Sequence, residues 1–366
     1  MEPIGVGIIG GSTSGWASVG HIPALAASPA FELRAVSTSR PSSAQAAAAR
    51  YGVPGFHDHR DLIAHPGVDL VVVSVKVSEH LALITAALDA GKMVYSEWPL
   101  GNGLAEAQRL ADHAAKAGVR TVVGLQGRYA PEVRLARDLV RDGYVGRVLG
   151  TTMVGSGMVW GGEVAHHGQA YWLDEANGAT PLTSPTLHAV DPLHAVLGEF
   201  ESVTANLVNG RKRATVTEDG STVPVTVADQ VALIGTLVGG AAASVFYRGG
   251  ASRAGNFRWE INGTEGDLVV RAESGNMQVS HLTLAGGRGS DRTVEPIEVP
   301  ESYRADVPTE LVGTPAAGVA RLYGEFARDL ADGTRNAPDF AHALRRHRLI
   351  AAVERASATG TTQTPA

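Results

Sequence analysis

Short apolar runs recur along the first third of the chain, each bounded by glycine or a polar turn. Ile4–Ile9, Phe31–Ser37, Val68–Val75, Met93–Ser96 and Arg120–Gly124 read as strands, Ile4–Ile9 and Val68–Val75 as buried ones. Between them, His21–Ala27, Ser42–Tyr51, Asp58–Ala64, Ser78–Asp89 and Gly103–Ala117 carry the spacing of helices, with Ser78 as the cap of the fourth. Strands and helices that alternate at short spacing predict a parallel, doubly wound sheet, an α/β Rossmann domain over residues 1–127.

The pattern changes after a helix predicted over Tyr129–Asp142. Val148–Val154, Ser202–Val208, Thr226–Leu237, Ala241–Tyr247, Phe257–Ile261, Leu268–Arg271 and Met277–Leu284 read as strands separated by turn signals such as Gly239-Gly240 and Gly263–Gly266. Arg211–Thr222 and Gly286–Arg304 read as polar insertions, and Gly313–Asp332 and Asp339–Ala358 as helices. The expectation is an α+β C-terminal domain over 128–358 with a large, mostly antiparallel sheet, and a frayed tail over 359–366.

Composition narrows the function classes. The chain has 366 residues, 44% hydrophobic and 19% charged, as in soluble globular proteins. A net charge of −6 without a basic block gives direct nucleic-acid binding little support. The absence of cysteine excludes disulfides, thiolate catalysis and Cys-ligated zinc. No apolar run approaches membrane-spanning length and no signal segment is evident, so a cytoplasmic protein is expected.

The first strand runs into Gly10-Gly11-Ser12-Thr13-Ser14-Gly15, and a helix follows. Glycines let a backbone approach a pyrophosphate, and a helix N-terminus offers free N–H groups and a positive dipole end. The usual G-x-G-x-x-G would place glycine at Ser12, so an ordinary glycine turn is the rival reading. At the end of the second strand stand Ser37, Thr38, Ser39 and Arg40 in place of a carboxylate. Hydroxyls and a guanidinium suit a ribose 2′-phosphate, which favours NADP(H) over NAD(H), unless Arg40 is merely a solvated loop cation.

"VDLVVVSVKVSEH", "SEWPLG", "LQGRYAPEVRLARDLVRDGYVG" and "INGTEGDL" stand in the order seen in the Gfo/Idh/MocA oxidoreductases, the glucose–fructose oxidoreductase and inositol dehydrogenase family, which the chain resembles over nearly its whole length. Within it, Glu97-Trp98, the Leu-Gln-Gly-Arg segment and Gly15-Trp16 resemble the branch that contains the fungal galactose-regulon repressor. The resemblance implies a nicotinamide cofactor held by Gly10, Ser12, Thr13, Ser14, Gly15, Trp16, Ser39, Arg40, Val75, His80, Glu97, Trp98 and Gln126. It further implies a sugar-like substrate and a homodimer or homotetramer built through the C-terminal sheet.

Oxidation of a sugar hydroxyl needs a hydride acceptor, a base and stabilisation of charge on the oxygen. In the family, the Lys of Glu-Lys-Pro and an Asp-x-x-x-His pair supply the last two. This chain has Trp98 for the lysine and Ser184 for the aspartate, and retains His188. Trp98 donates one N–H but exchanges no proton; it stacks on a bound ring or fills the space lysine leaves. The Trp98-Pro99 peptide is a candidate cis bond. His188 remains the candidate base or acid, or else a hydrogen-bonded cleft residue. Asp191, followed by Pro192, is read as a helix N-cap, although it also matches the family's His-x-x-Asp. Arg128, followed by Tyr129, either holds an anionic substrate group or pairs with Glu132.

The stretch Trp160–Trp172 is aromatic and His-rich, which suits the apolar faces of a carbohydrate ring. Tyr171, His166 and His167 are candidates for the missing acid–base groups, with Trp160, His167, Ser184, Arg128 and Tyr129 as substrate contacts; the rival reading is a packed surface excursion. Adjacent histidines without ligands at helical spacing around them do not make a metal site, and none is expected. Two functions remain open. One is an NADP-dependent oxidoreductase acting on a sugar or sugar-like alcohol or ketone, with a redox-neutral reaction on a sugar as a weaker variant. The other is a non-catalytic dinucleotide-binding regulator that works through a protein partner.

Overall fold

The computed structural model describes residues 2–365, which form two compact units: residues 2–126 with 305–344, and residues 127–304 with 345–365. In the first unit, β1 (Ile4–Ile9), α1 (Trp16–Val19), α2 (His21–Ala26), β2 (Phe31–Ser37), α3 (Pro41–Tyr51), β3 (Gly55–Phe56) and α4 (His59–Ala64) lead to β4 (Leu70–Val73). Then α5 (His80–Asp89), β5 (Met93–Ser96), α6 (Leu104–Ala117) and β6 (Thr121–Val123) complete the repeat. The six strands pair in parallel in the order β3-β2-β1-β4-β5-β6. Leu70–Val73 is wholly buried, as its uninterrupted apolar run requires of a strand covered on both faces. Asp58 caps α4 by accepting from the Arg60 N–H. Ser78 does not cap α5 with its side chain; it lies in a 3₁₀ turn, Val77–Glu79, and the helix starts at His80.

The second unit opens with α7 (Pro131–Arg141), β7 (Val148–Gly157) and β8 (Glu163–Val164). It continues with α8 (Leu187–Leu197), β9 (Phe200–Val208), β10 (Arg213–Val216), β11 (Thr222–Pro224), β12 (Gln230–Leu237), β13 (Ala242–Gly249), β14 (Phe257–Gly263), β15 (Gly266–Ala272), β16 (Leu282–Arg288) and β17 (Glu295–Pro296). Eight of these strands form one sheet, β17-β16-β15-β14-β7-β13-β12-β9, antiparallel except for the β7–β13 pair. Alternate residues of β12, β13 and β14 are buried, the period-two signature of a sheet with one covered face.

The stretch 211–222, expected as a polar insertion, instead contributes β10 and the start of β11, which form a three-stranded sheet with β8. Its alternation hides the strand: Ala214 and Val216 face a small core while Arg213 and Thr215 face outward. Met277–Val279 is a 3₁₀ turn and the expected strand there begins at Leu282. After the second unit, α9 (Pro315–Asp332) packs on α2, so Tyr323 and Phe326 join Phe31 in the first core. Finally, α10 (Phe340–Thr359) begins in the first unit and ends in the second.

Candidate cofactor and substrate sites

The order of the parallel sheet reverses between β1 and β4, the place where such sheets bind ligands at their C-terminal edge. The glycine turn lies there. Gly10 has φ +92°, and a Cβ on it would sit 2.1 Å from the Ser74 carbonyl oxygen and 2.9 Å from Val75. Only glycine permits both that φ and that approach. Gly15, at φ +128°, precedes α1, and the space beside it is open but for Ser12 Oγ at 3.6 Å. Thr13 and Ser14 are exposed, Ser12 Oγ donates to the Ser14 carbonyl, and Tyr51 donates to the Ser12 carbonyl at 2.9 Å. The Trp16 Nε1–H is buried without a hydrogen-bond partner among the described residues. A glycine cradle with exposed hydroxyls and an orphaned donor fits a dinucleotide phosphate.

At the end of β2, Ser39 and Arg40 are exposed. Thr38 and Ser43 share a hydrogen bond of 2.7 Å, and their hydroxyls lie 3.2 and 3.0 Å from the Arg40 carbonyl, so the loop backbone is fixed while the guanidinium stays outside. His80 is buried between two carbonyls, Nε2 at 3.2 Å from Val75 O and Nδ1 at 3.3 Å from Leu100 O. Burial lowers its pKa below the ordinary 6.5, more than those carbonyls raise it. His80 thus clasps the loop after β4 to the segment after β5.

Glu97, Trp98 and the cis Trp98-Pro99 peptide follow β5. Trp98 is 6% exposed, so its ring is part of the packing. Glu97 accepts from a group the sequence did not single out: His21 Nε2 lies 2.6 Å from its Oε1, and Tyr323 bonds the other ring nitrogen at 2.9 Å. A histidine just after the glycine turn was a visible signal; nothing local pointed to Tyr323. Gln126, the last residue of this unit's first segment, is 2% exposed, and its Oε1 has no partner among the described residues.

In the second unit Arg128 does not pair with Glu132. It donates two parallel bonds to Asp191, Nε to Oδ2 at 2.8 Å and Nη2 to Oδ1 at 2.9 Å, while Arg304 takes Glu132 at 3.2 Å. Asp191 is therefore no N-cap. It lies inside α8, fully buried, because the helix begins upstream, after a π-turn over Leu182–Thr186. Ser184 lies half-buried in that turn and His188, 7% exposed, one residue into α8. Pro192 removes the N–H that would bond the His188 carbonyl. Gly127 fills the same place: a Cβ there would lie 3.2 Å from the Pro192 ring and 3.3 Å from the His188 oxygen. Arg346, wholly buried, bonds Glu199, and His194 Nδ1 lies 2.8 Å from the same carboxylate. Burial pulls the Arg346 pKa down to about 10, against Asp191, which raises it.

The two tryptophans of the aromatic stretch face a small core, while residues 165–168 are exposed. Trp160 packs with Val164, Leu173, Ala214, Val216, Val225 and Val227, meets Trp172 edge to face, and donates to the Ala179 carbonyl at 3.3 Å. Tyr171 donates to the Asn177 carbonyl at 3.3 Å. His166 is exposed, and His167 pairs with Asp219 at 3.0 Å, whose carboxyl is held well below its usual range by Ser221 and His167. The structure thus joins Arg128 to Asp191, three residues after His188 on α8, and commits Trp160 to a local core. Tyr129 lies half-buried beside Arg128 in the turn Gln126–Tyr129. Among the described residues no group of His, Asp and Glu could hold a metal ion, and no helix is long and apolar enough to cross a membrane.

Residues 4–125 match the oxidoreductase family with an NAD-binding Rossmann fold (Gfo/Idh/MocA), and residues 131–272 match the Gal80p C-terminal domain. The chain is 39% identical over 179 residues to the dehydrogenase AclE of Aspergillus oryzae, a match that spans 48% of each protein and so about half of that relative. It is 27% identical over 312 residues to the galactose/lactose metabolism regulatory protein GAL80 of Saccharomyces cerevisiae, 79% of this chain and 72% of that one. It is 28% identical over 320 residues to levoglucosan dehydrogenase of Pseudarthrobacter phenanthrenivorans, 80% of each. A super-repressor mutant of S. cerevisiae Gal80p shares the fold with a TM-score of 0.89 at 24% identity, over 99% of this chain and 97% of that one. Levoglucosan dehydrogenase in complex with NADH and L-sorbose does so with a TM-score of 0.86 at 24% identity, over the full length of both.

Proposed function

We propose, from the premise that this chain belongs to the Gfo/Idh/MocA oxidoreductases, that it is an NADP-dependent oxidoreductase acting on a sugar or sugar-like alcohol or ketone. The observation that carries the cofactor part is the end of β2, where Thr38 and Ser43 anchor the loop and Arg40 stands exposed with no carboxylate among Ser37–Arg40. A 2′-phosphate is matched there by a cation and hydroxyls. When bound, the nicotinamide supplies the hydride acceptor or donor. His188 is the group on α8 that would move the hydroxyl proton, with Tyr171 as its candidate helper. Arg128, neutralised by Asp191, keeps that turn of α8 in place. Trp98 stands where the family has lysine, so no cation from that position assists the step.

The rival reading is a dinucleotide-binding regulator. Support for it comes from Trp98 and Ser184, which remove two of the family's three chemical groups, and from the match to the Gal80p C-terminal domain. Calorimetric titration with NADP⁺ and NAD⁺, followed by a sugar panel read at the nicotinamide absorbance, separates the two. Tighter binding of NADP⁺ and turnover of any sugar support the enzyme. Binding without turnover, unrelieved in a folded W98K/S184D variant, favours the regulator. Arg40→Asp is expected to weaken NADP⁺ at least tenfold, about 1.4 kcal/mol, and leave NAD⁺ binding within about threefold. Equal loss for both would remove the 2′-phosphate assignment.

A further inference from the structure

Three polar side chains from distant parts of the sequence meet inside the first unit. Tyr323 comes from α9, His21 from α2, and Glu97 follows β5. Tyr323 Oη lies 2.9 Å from His21 Nδ1, and His21 Nε2 lies 2.6 Å from Glu97 Oε1. His21 is 0% and Tyr323 1% exposed.

The direction of this chain of hydrogen bonds follows from the phenol. Burial, and then the charge of Glu97, push the Tyr323 pKa well above its usual value, so it keeps its proton. A phenol both donates and accepts, and the tautomer taken here has Tyr323 donating to the ring nitrogen. His21 Nδ1 then accepts, and the ring proton sits on Nε2, facing Glu97. Since Tyr323 neither ionises nor reaches solvent, the chain cannot carry a proton away. It works as a fixed support.

What it supports is half open. Glu97 Oε1 is held from the buried side, while the side chain keeps 16% exposure at the C-terminal edge of the sheet. Next to it, Gly124 has no side chain, and a Cβ there would come within 2.9 Å of Oε2. The glycine therefore leaves Oε2 its room. His21 also makes edge contact with Tyr95 on β5, with centroids 4.9 Å apart, which fixes the ring plane.

We propose that Tyr323 and His21 are positioning residues that hold Glu97 in place, with Oε2 presented at the sheet edge to accept a hydrogen bond from a hydroxyl of the bound nucleotide. This rests on the cofactor reading above. It makes α9, more than 180 residues beyond the rest of the site's sequence, part of the apparatus for nucleotide binding.

The test is calorimetric titration of NADP⁺ and NAD⁺ into wild type, H21Q, H21N, Y323F, E97Q and H21N/E97Q. Glutamine at 21 keeps an N–H donor near the place of Nε2, and asparagine does not reach it. The expected result is a loss of roughly tenfold in affinity for H21N and for E97Q, near-wild-type affinity for H21Q, and a double variant no weaker than E97Q alone. A role in packing alone would not be rescued by glutamine. Wild-type affinity in H21N, or additive losses in the double variant, overturn the proposal while leaving the cofactor reading intact. A wild type that binds neither nucleotide overturns the cofactor reading, and this proposal with it. Should H21N fail to fold, the ring ¹⁵N shifts of His21 in the nucleotide-free wild type decide. A proton on Nε2 and a bare Nδ1, disturbed by Y323F, support the chain; the opposite tautomer sinks it.

Discussion

Arg128 and Asp191 form a pair whose acid side chain is 1% exposed and whose cation is 15% exposed. Asp191→Ala takes away the carboxylate that receives two hydrogen bonds from Arg128 in a mostly buried pair, so it is expected to cost about 3–5 kcal/mol. Thermal melts would show it, and an R128M/D191L double variant should recover much of the loss. If D191A melts with wild type, the pair is not holding α8. The Asp191 position also shows what sequence cannot reveal. Aspartate followed by proline reads as the start of a helix, and the residues that start it earlier, Leu182–Thr186, include Pro185 and look like a break. Pro192 stands in mid-helix and forfeits the bond to the His188 carbonyl, and Gly127, remote in sequence though not in space, lies against that place. His80 yields a second expectation at this scale. Its pKa is lowered in the folded protein, so the unfolded chain binds the proton first as pH falls. Stability should therefore decline as pH drops below about 6.5, with a slope of at most ~1.4 kcal/mol per pH unit from this group. Melting temperatures between pH 7.5 and 5 check it: H80Q should flatten the profile, and an unchanged slope would assign the effect elsewhere.

Among the elements, the Rossmann repeat was readable because strands such as β1 and β4 are short apolar runs closed by a turn, and Gly10, with φ +92°, had to be glycine. The aromatic stretch was harder, since tryptophan and tyrosine suit a sugar cleft and a core equally well. What decides is partner surface. The hairpin of β10 and β11 offers Ala214, Val216 and the neighbouring Val225 and Val227, and Trp160 covers them. The hairpin was legible in the alternation of Arg213 to Val216, but charged residues on its outer face gave it the look of a loop. Trp160→Ala is expected to cost about 3–5 kcal/mol. Limited proteolysis should then cut within 160–227 well before the eight-stranded sheet opens. Cleavage spread evenly through the second unit would mean that the small core is not a separate cooperative element.

For the whole chain, the first unit is assembled from two stretches that lie 178 residues apart in sequence, 2–126 and 305–344. The helical pattern of α9 was visible, but a pattern says which face is apolar and not which sheet it will cover. Four ties show how much the late stretch supplies. Phe31 stacks on Phe326 with ring centroids 6.0 Å apart, and Tyr323 closes the His21 chain. The Val123 N–H at the edge strand β6 donates to the Pro338 carbonyl at 2.8 Å. Arg120 reaches the carbonyls of Asp329 and Thr334, and both Asp329 oxygens cap the Asn336–Ala337 turn. A polypeptide of residues 1–127 would keep the glycine turn and all six strands, yet it would expose Phe31 and leave His21 buried without Tyr323. Burying Phe31 and its neighbours is worth about 1.5–3 kcal/mol per side chain, comparable to the marginal stability of a small domain. That fragment should therefore retain helical far-UV signal, lose fixed near-UV signal and bind dye as a loosely packed state. Joining 1–126 to 305–344 through a flexible linker should restore a cooperative melt and nucleotide binding. If 1–127 alone melts cooperatively and binds nucleotide as tightly as the full chain, α9 is only a cover, and the link from Tyr323 to Glu97 has no part in forming the site.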